Sequence, residues 1–180
     1  TIGSPQEEVD AFFSEHDYTF EEIESGTIAA DSVGTLSGTL TSAALWSNDT
    51  STIVCTTSTS NQNAGPSIEM DGTNDYITMG GNSTLAVSSS QGRSFLMDFK
   101  PDNYGAALIS RYVNFSSGSS SFSIAINSSG KVVVTGNGLN DINSTNAVAL
   151  NQWQRLAVTI SSSGQAKIYI DGILDGSGTI

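Results

Sequence analysis

Two neighbouring runs decide the fold class: Trp153-Gln154-Arg155-Leu156-Ala157-Val158-Thr159-Ile160 and Gln165-Ala166-Lys167-Ile168-Tyr169-Ile170-Asp171-Gly172. In the first, Leu156, Val158 and Ile160 alternate with Arg155, Ala157 and Thr159. In the second, Ala166, Ile168 and Ile170 alternate with Gln165, Lys167, Tyr169 and Asp171. A period of two sends one set of side chains into a core and the other into water, as in an antiparallel strand. Ser163-Gly164 between the runs and Asp171-Gly172 after them are turn dipeptides. The segment therefore reads as a hairpin with one buried face.

Outward from it the same period recurs. Phe122, Ile124 and Ile126 form one inward row, and Phe95, Met97 and Phe99 another, with Ser128-Ser129-Gly130 as a further turn. About ten short strands at this spacing make an antiparallel sandwich. Gly- and Ser-rich stretches at 58–66, 116–121 and 136–146 read as loops, since strands resume on both sides.

The N-terminus differs. Ser4-Pro5-Gln6-Glu7 supplies a cap, a first-turn proline and a capping-box acid, and Val9, Phe12 and Phe13 follow on one stripe. This predicts a short helix over an acidic segment, 1–17, that packs on its own domain or docks into a partner's groove. Residues 18–180 form the β domain.

Net charge is −12, with only 6 Lys and Arg. That balance argues against nucleic acid or an anionic membrane as partner. Much of the acid lies in the first 24 residues: Glu7, Glu8, Asp10, Glu15, Asp17, Glu21, Glu22 and Glu24. The single cysteine, Cys55, excludes an internal disulfide framework and reads as a buried, inert thiol. No apolar run of ~18 residues predicts a membrane span. The first residues show no basic, apolar signal pattern. Thr1 is small enough to follow an excised initiator Met, which reads as synthesis in the cytoplasm; a removed signal is the alternative.

Three segments in order carry a family resemblance. Ile68-Glu69-Met70-Asp71-Gly72-Thr73-Asn74-Asp75-Tyr76-Ile77 is similar to an apolar-x-Phe-Asp-Gly-x-x-Asp-Tyr-Val hairpin. Ser94 to Pro101 resembles the next core strand, with Phe99 where Trp is common. Trp153 to Thr159 with Ile168 to Gly172 is the most specific match. Together with Asp31-Ser32-Val33-Gly34 they resemble the laminin-G-like branch of the concanavalin A-like lectin/glucanase superfamily. The resemblance covers about residues 17–175 and implies a two-sheet jelly roll. It also implies further strands beyond the Asp171-Gly172 turn. This sequence stops at Ile180; further residues, a shortened fold, or a strand supplied by another molecule are open, and an unpaired sheet edge open to neighbouring subunits is the expectation.

The superfamily includes glycosidases, so paired carboxylates matter. Retaining hydrolysis needs two carboxyl groups ~5–5.5 Å apart, and its glucanases place Glu, Asp and Glu at alternate strand positions. Glu69 and Asp71 begin that pattern, but Thr73 occupies the next position and Asp75 lies beyond the turn. The chain therefore reads as non-catalytic. His16, the single histidine, reads as a solvated side chain and excludes a His-rich zinc site. Relatives often carry Ca²⁺, which takes several oxygen ligands. Asp71, Asn74 and Asp75 are the candidate calcium ligands, with plain turn formation as the competing reading. Glycan binding needs an aromatic platform beside polar groups. Tyr104 with Asn103, Tyr112, and Trp46 are the candidates, each weighed against ordinary packing; Trp153 reads as core.

The expected function is a non-catalytic recognition or coat module working beside neighbouring protein subunits on a virion surface, with glycans as ligands. A secreted or cell-surface carbohydrate-binding adhesin domain is the second reading, and a glycoside hydrolase the third.

Overall fold

The computed structural model describes residues 27–29, 37–41, 44–47, 49, 67–79, 92–111, 122–136 and 140–180. Among them every regular element is a strand, and every ladder is antiparallel. The segment 1–17, with Val9, Phe12, Phe13 and His16, lies outside the described residues, as do Asp31 to Gly34, Cys55 and Tyr112. The chain divides into two units, Thr1–Asn82 and Ser83–Ile180.

The first unit holds β1 (Ile28–Ala29), β2 (Gly38–Thr41), β3 (Leu45–Ser47), β4 (Ser67–Glu69) and β5 (Tyr76–Thr78). Strands β1, β2 and β5 form one sheet in that order, and β3 pairs with β4. Ala29 and Leu40 are buried. Because β4 and β5 join different sheets, Asp71 to Asp75 is a crossing turn. The hairpin expected over residues 68–77 is corrected on this point: β5 takes its hydrogen bonds from β2.

The second unit contains β6 (Arg93–Phe99), β7 (Ala107–Arg111), β8 (Phe122–Ile126), β9 (Lys131–Gly136), β10 (Ile142–Ala147), β11 (Gln154–Ile160), β12 (Gln165–Ile170) and β13 (Ile173–Thr179). One sheet runs β10-β9-β8-β7, the other β13-β12-β11-β6. Their inner faces share one core. Ile124, Ile126, Val132, Val134 and Ile142 come from the first sheet; Phe99, Leu156, Val158, Ile160, Ala166 and Ile168 come from the second. Phe95 and Phe122 cross between them with ring centroids 4.9 Å apart, tilted by 34°. Burying one such Ile or Leu contributes about 1.5–3 kcal/mol, so the alternating rows read from the sequence are what hold this sandwich. A jelly-roll connection remains an expectation carried by the resemblance.

Turn chemistry sets the hairpins. Asp171 (φ 51°) and Gly172 (φ 78°) both adopt left-handed backbone, the type I′ twist that matches two right-twisted strands. Gly130 (φ 78°) does the same after β8, with the Tyr104 ring seated where a side chain would stand.

Two expectations are corrected. Residues 142–147, read as loop, form β10; the polar run Asn143-Ser144-Thr145-Asn146 hides a strand whose inward positions are Ile142 and Ser144. The strand expected to be missing beyond Asp171-Gly172 is the chain's own β13, which pairs with β12 from Ile173 to Thr179 and is itself the edge of that sheet. Its glycines erased the alternation that would have announced it.

Candidate functional site

Of the loop candidates, Tyr104 is anchored. Tyr104 donates its hydroxyl to the Val148 carbonyl at 3.1 Å, and a β-carbon at Gly130 would lie 2.6 Å from Tyr104 Cζ. The ring thus ties the β6–β7 connection to the turn after β8, and 38 % of it stays exposed. Asn103 beside it is exposed. Trp46 sits half-buried on β3 opposite Ile68, in the other unit from Tyr104. Trp153 is half-buried just before β11.

Asp71, Asn74 and Asp75 share one turn, with Asp71 and Asn74 exposed and Asp75 half-buried. Asp71 Oδ1 accepts the Thr73 amide at 2.7 Å and Asp75 Oδ2 accepts the Asp71 amide at 2.9 Å. Both carboxylates thus bind the turn's own backbone, the use that Asp serves in turns. A calcium ion needs six to eight oxygens. Among the described residues no three Asp, Glu, His or Cys side chains gather into a metal-binding group. Glu69 ends β4 and Asp71 lies beyond the strand, so the two do not share the alternate positions of one strand.

On the second unit, Arg155 grips Asp98 with two parallel bonds, Nε to Oδ1 at 2.6 Å and Nη2 to Oδ2 at 2.8 Å. The two are direct partners in the β6–β11 register. Asp171 Oδ1 accepts the Arg155 amide at 2.8 Å, and the Asp171 amide returns to the Arg155 carbonyl at 2.8 Å. This cluster locks the hairpin end to the sheet.

One concave feature of this unit lies where the edge strands β10 and β13 of the two sheets meet. A shallow open groove of about 370 Å³ is lined by Asn143, Thr145, Leu174, Asp175, Gly176 and Ser177. Asp175 clasps Asn146 across it, accepting the backbone amide at 3.1 Å and the side-chain amide at 2.5 Å. Gly176 lets the strands approach: a β-carbon there would stand 2.6 Å from the Asn143 carbonyl oxygen. Gly178 likewise abuts the Ile142 side chain. These residues escaped the sequence reading because one strand was read as loop and the other as chain end. The available signal was Gly176-Ser177-Gly178, since strand glycines mark close backbone approach.

Among the described residues no helix is long and apolar enough to cross a membrane. Comparisons with curated proteins and with solved structures find no match. A family model does match: residues 71–180 fit the laminin-G-like model of the concanavalin A-like lectin/glucanases superfamily. That match covers more than half of the chain and carries two of the three resembling segments whole; the chain belongs to the concanavalin A-like lectin/glucanase superfamily.

Proposed function

We propose that the chain is a non-catalytic recognition module that binds glycans on an exposed surface, in the setting of a virus particle. The family match over residues 71–180 is the observation that carries this, because such a domain fits a carbohydrate-binding or adhesion module. The non-catalytic part is supported by Asp71, whose carboxylate serves the Thr73 amide beyond the end of β4. The virion setting is supported by the acidic 1–24 segment, with Val9, Phe12 and Phe13 as the proposed docking stripe, and by a chain with only 6 Lys and Arg.

The full chain on a broad array of immobilised glycans tests the recognition reading: selective binding supports it, and no binding at any glycan overturns it. Reducing-end release from β-glucans that disappears in Glu69→Gln would overturn the non-catalytic part. Deleting residues 1–16 is expected to leave the sandwich folded and abolish particle docking. A signal-bearing precursor would replace the virion with the secreted adhesin setting, and finding capsid and tail genes beside this one would support the virion.

A further inference from the structure

We infer that the groove between β10 and β13 binds one neutral sugar unit; this rests on the glycan-recognition reading and assigns its site. The groove is built by irregularities on both walls. The β10–β9 register shifts between Asn143 and Ala147. The β13–β12 register shifts so that Ile168 faces Gly176 while Tyr169 faces Leu174, which leaves Asp175 as the extra residue. A bulge re-aims the side chains beside it. Here the extra residue, Asp175, is the one that reaches the opposite wall at Asn146.

The chemistry on the walls is that of hydroxyl recognition. Asn143 offers an amide, Thr145 and Ser177 offer hydroxyls, and Asp175 a carboxylate. Each Asp175 oxygen accepts one bond from Asn146, and an ionised carboxylate has about four lone-pair sites. Two acceptor positions on a pre-oriented carboxylate therefore remain for a pair of adjacent ligand hydroxyls. Leu174, 52 % exposed, supplies an apolar shelf for the C–H face of a ring. Asp175 is the charged side chain of the lining. Sialylated and sulfated sugars are therefore repelled, and a neutral sugar is selected. A volume near the small end of ligand pockets, open to one side, suits a single terminal or internal unit of a longer glycan.

The test is NMR on the ¹⁵N-labelled full chain with free glucose, galactose, mannose, N-acetylglucosamine and fucose at millimolar concentration. At least one sugar is expected to shift the amides of residues 143–146 and 174–177. Asp175→Asn is expected to weaken that binding about tenfold, the loss of one charge-assisted hydrogen bond. Because Asp175 also clasps Asn146, Thr145→Ala provides a second variant at an exposed position, with an expected loss of about threefold to tenfold. A sugar that shifts amides elsewhere and binds both variants unchanged overturns the site and leaves the recognition reading standing. No shift with any of the five sugars overturns the site too, and the glycan array then decides the recognition reading by itself.

Discussion

Replacing Gly176 by alanine probes a close approach of backbone between the two sheets. The new methyl would lie 2.6 Å from the Asn143 carbonyl oxygen, 3.2 Å from its carbonyl carbon and 3.2 Å from Ser144 Cα. Ordinary contact begins near 3.4 Å, so one strand must retreat by close to an ångström. Its neighbours are backbone atoms and cannot rotate away. Overpacking of this kind costs about 1–3 kcal/mol. Gly176 does not have left-handed backbone, so alanine also gains about 0.4–1 kcal/mol by restricting the unfolded chain. The net is a loss of about 1.5 kcal/mol, and a chain of this size loses about 2–4 °C of Tm per kcal/mol. The expected fall is thus about 3–6 °C. Gly136→Ala is the matched control. It too is a strand glycine without left-handed backbone, but its β-carbon would meet only the Ile180 side chain, at 3.5 Å. That variant should melt at or slightly above the wild type. Calorimetry on both decides the matter: Gly176→Ala as stable as Gly136→Ala would refute the backbone approach of β13 to β10.

Ser144 is almost fully buried; its hydroxyl accepts the Val132 amide at 2.9 Å and donates to the Asn146 carbonyl at 2.7 Å. Ser144→Ala strips a buried amide of its partner and should cost about 1–3 kcal/mol in urea unfolding; an unchanged midpoint would contradict this. Arg155 and Asp98 are 27 % and 21 % exposed. A double-mutant cycle to alanine should give a coupling of about 1–2 kcal/mol, more than an exposed pair and weakening little with salt; a coupling near zero would make the bidentate geometry ornamental. Tyr104→Phe keeps the ring over Gly130 and loses the bond to Val148, for about 0.5–1.5 kcal/mol. Tyr104→Ala should cost clearly more, and equal losses would deny the ring its packing role. Melts with and without a chelator should coincide, because Asp71 and Asp75 serve the turn amides; a higher midpoint with calcium would restore those residues as ligands.

The core was legible because burial imposes alternation. Phe95 to Phe99, Phe122 to Ile126, Leu156 to Ile160 and Ala166 to Ile170 all appear as strands with the faces read for them. Strands β10 and β13 were hidden for opposite reasons. In β10 a serine hydroxyl takes a core position because the bulge leaves the Val132 amide needing a partner. In β13 two glycines stand where side chains would collide with the neighbouring strand. Both departures from pattern lie at the one groove, and the candidate site was invisible in the sequence for that reason. Tyr104 and Asp71, read from the sequence as glycan-platform and calcium candidates, have polar atoms that hold backbone: Val148 for one, Thr73 for the other.

Strand β6 has a consequence for how the second unit assembles. The order β7-β8-β9-β10 and the run β11-β12-β13 each join strands that are neighbours in sequence, so each can zip as hairpins on microsecond times. β6 is the exception: Phe99 must find Gln154, and Arg93 must find Ile160, with the whole of the other sheet threaded between them. The entropy of closing that loop is spent before any of its core contacts form. Sheet registration by β6 should therefore set the folding rate. Substitutions along the β6–β11 seam should slow refolding, while those in the β12–β13 hairpin should chiefly hasten unfolding.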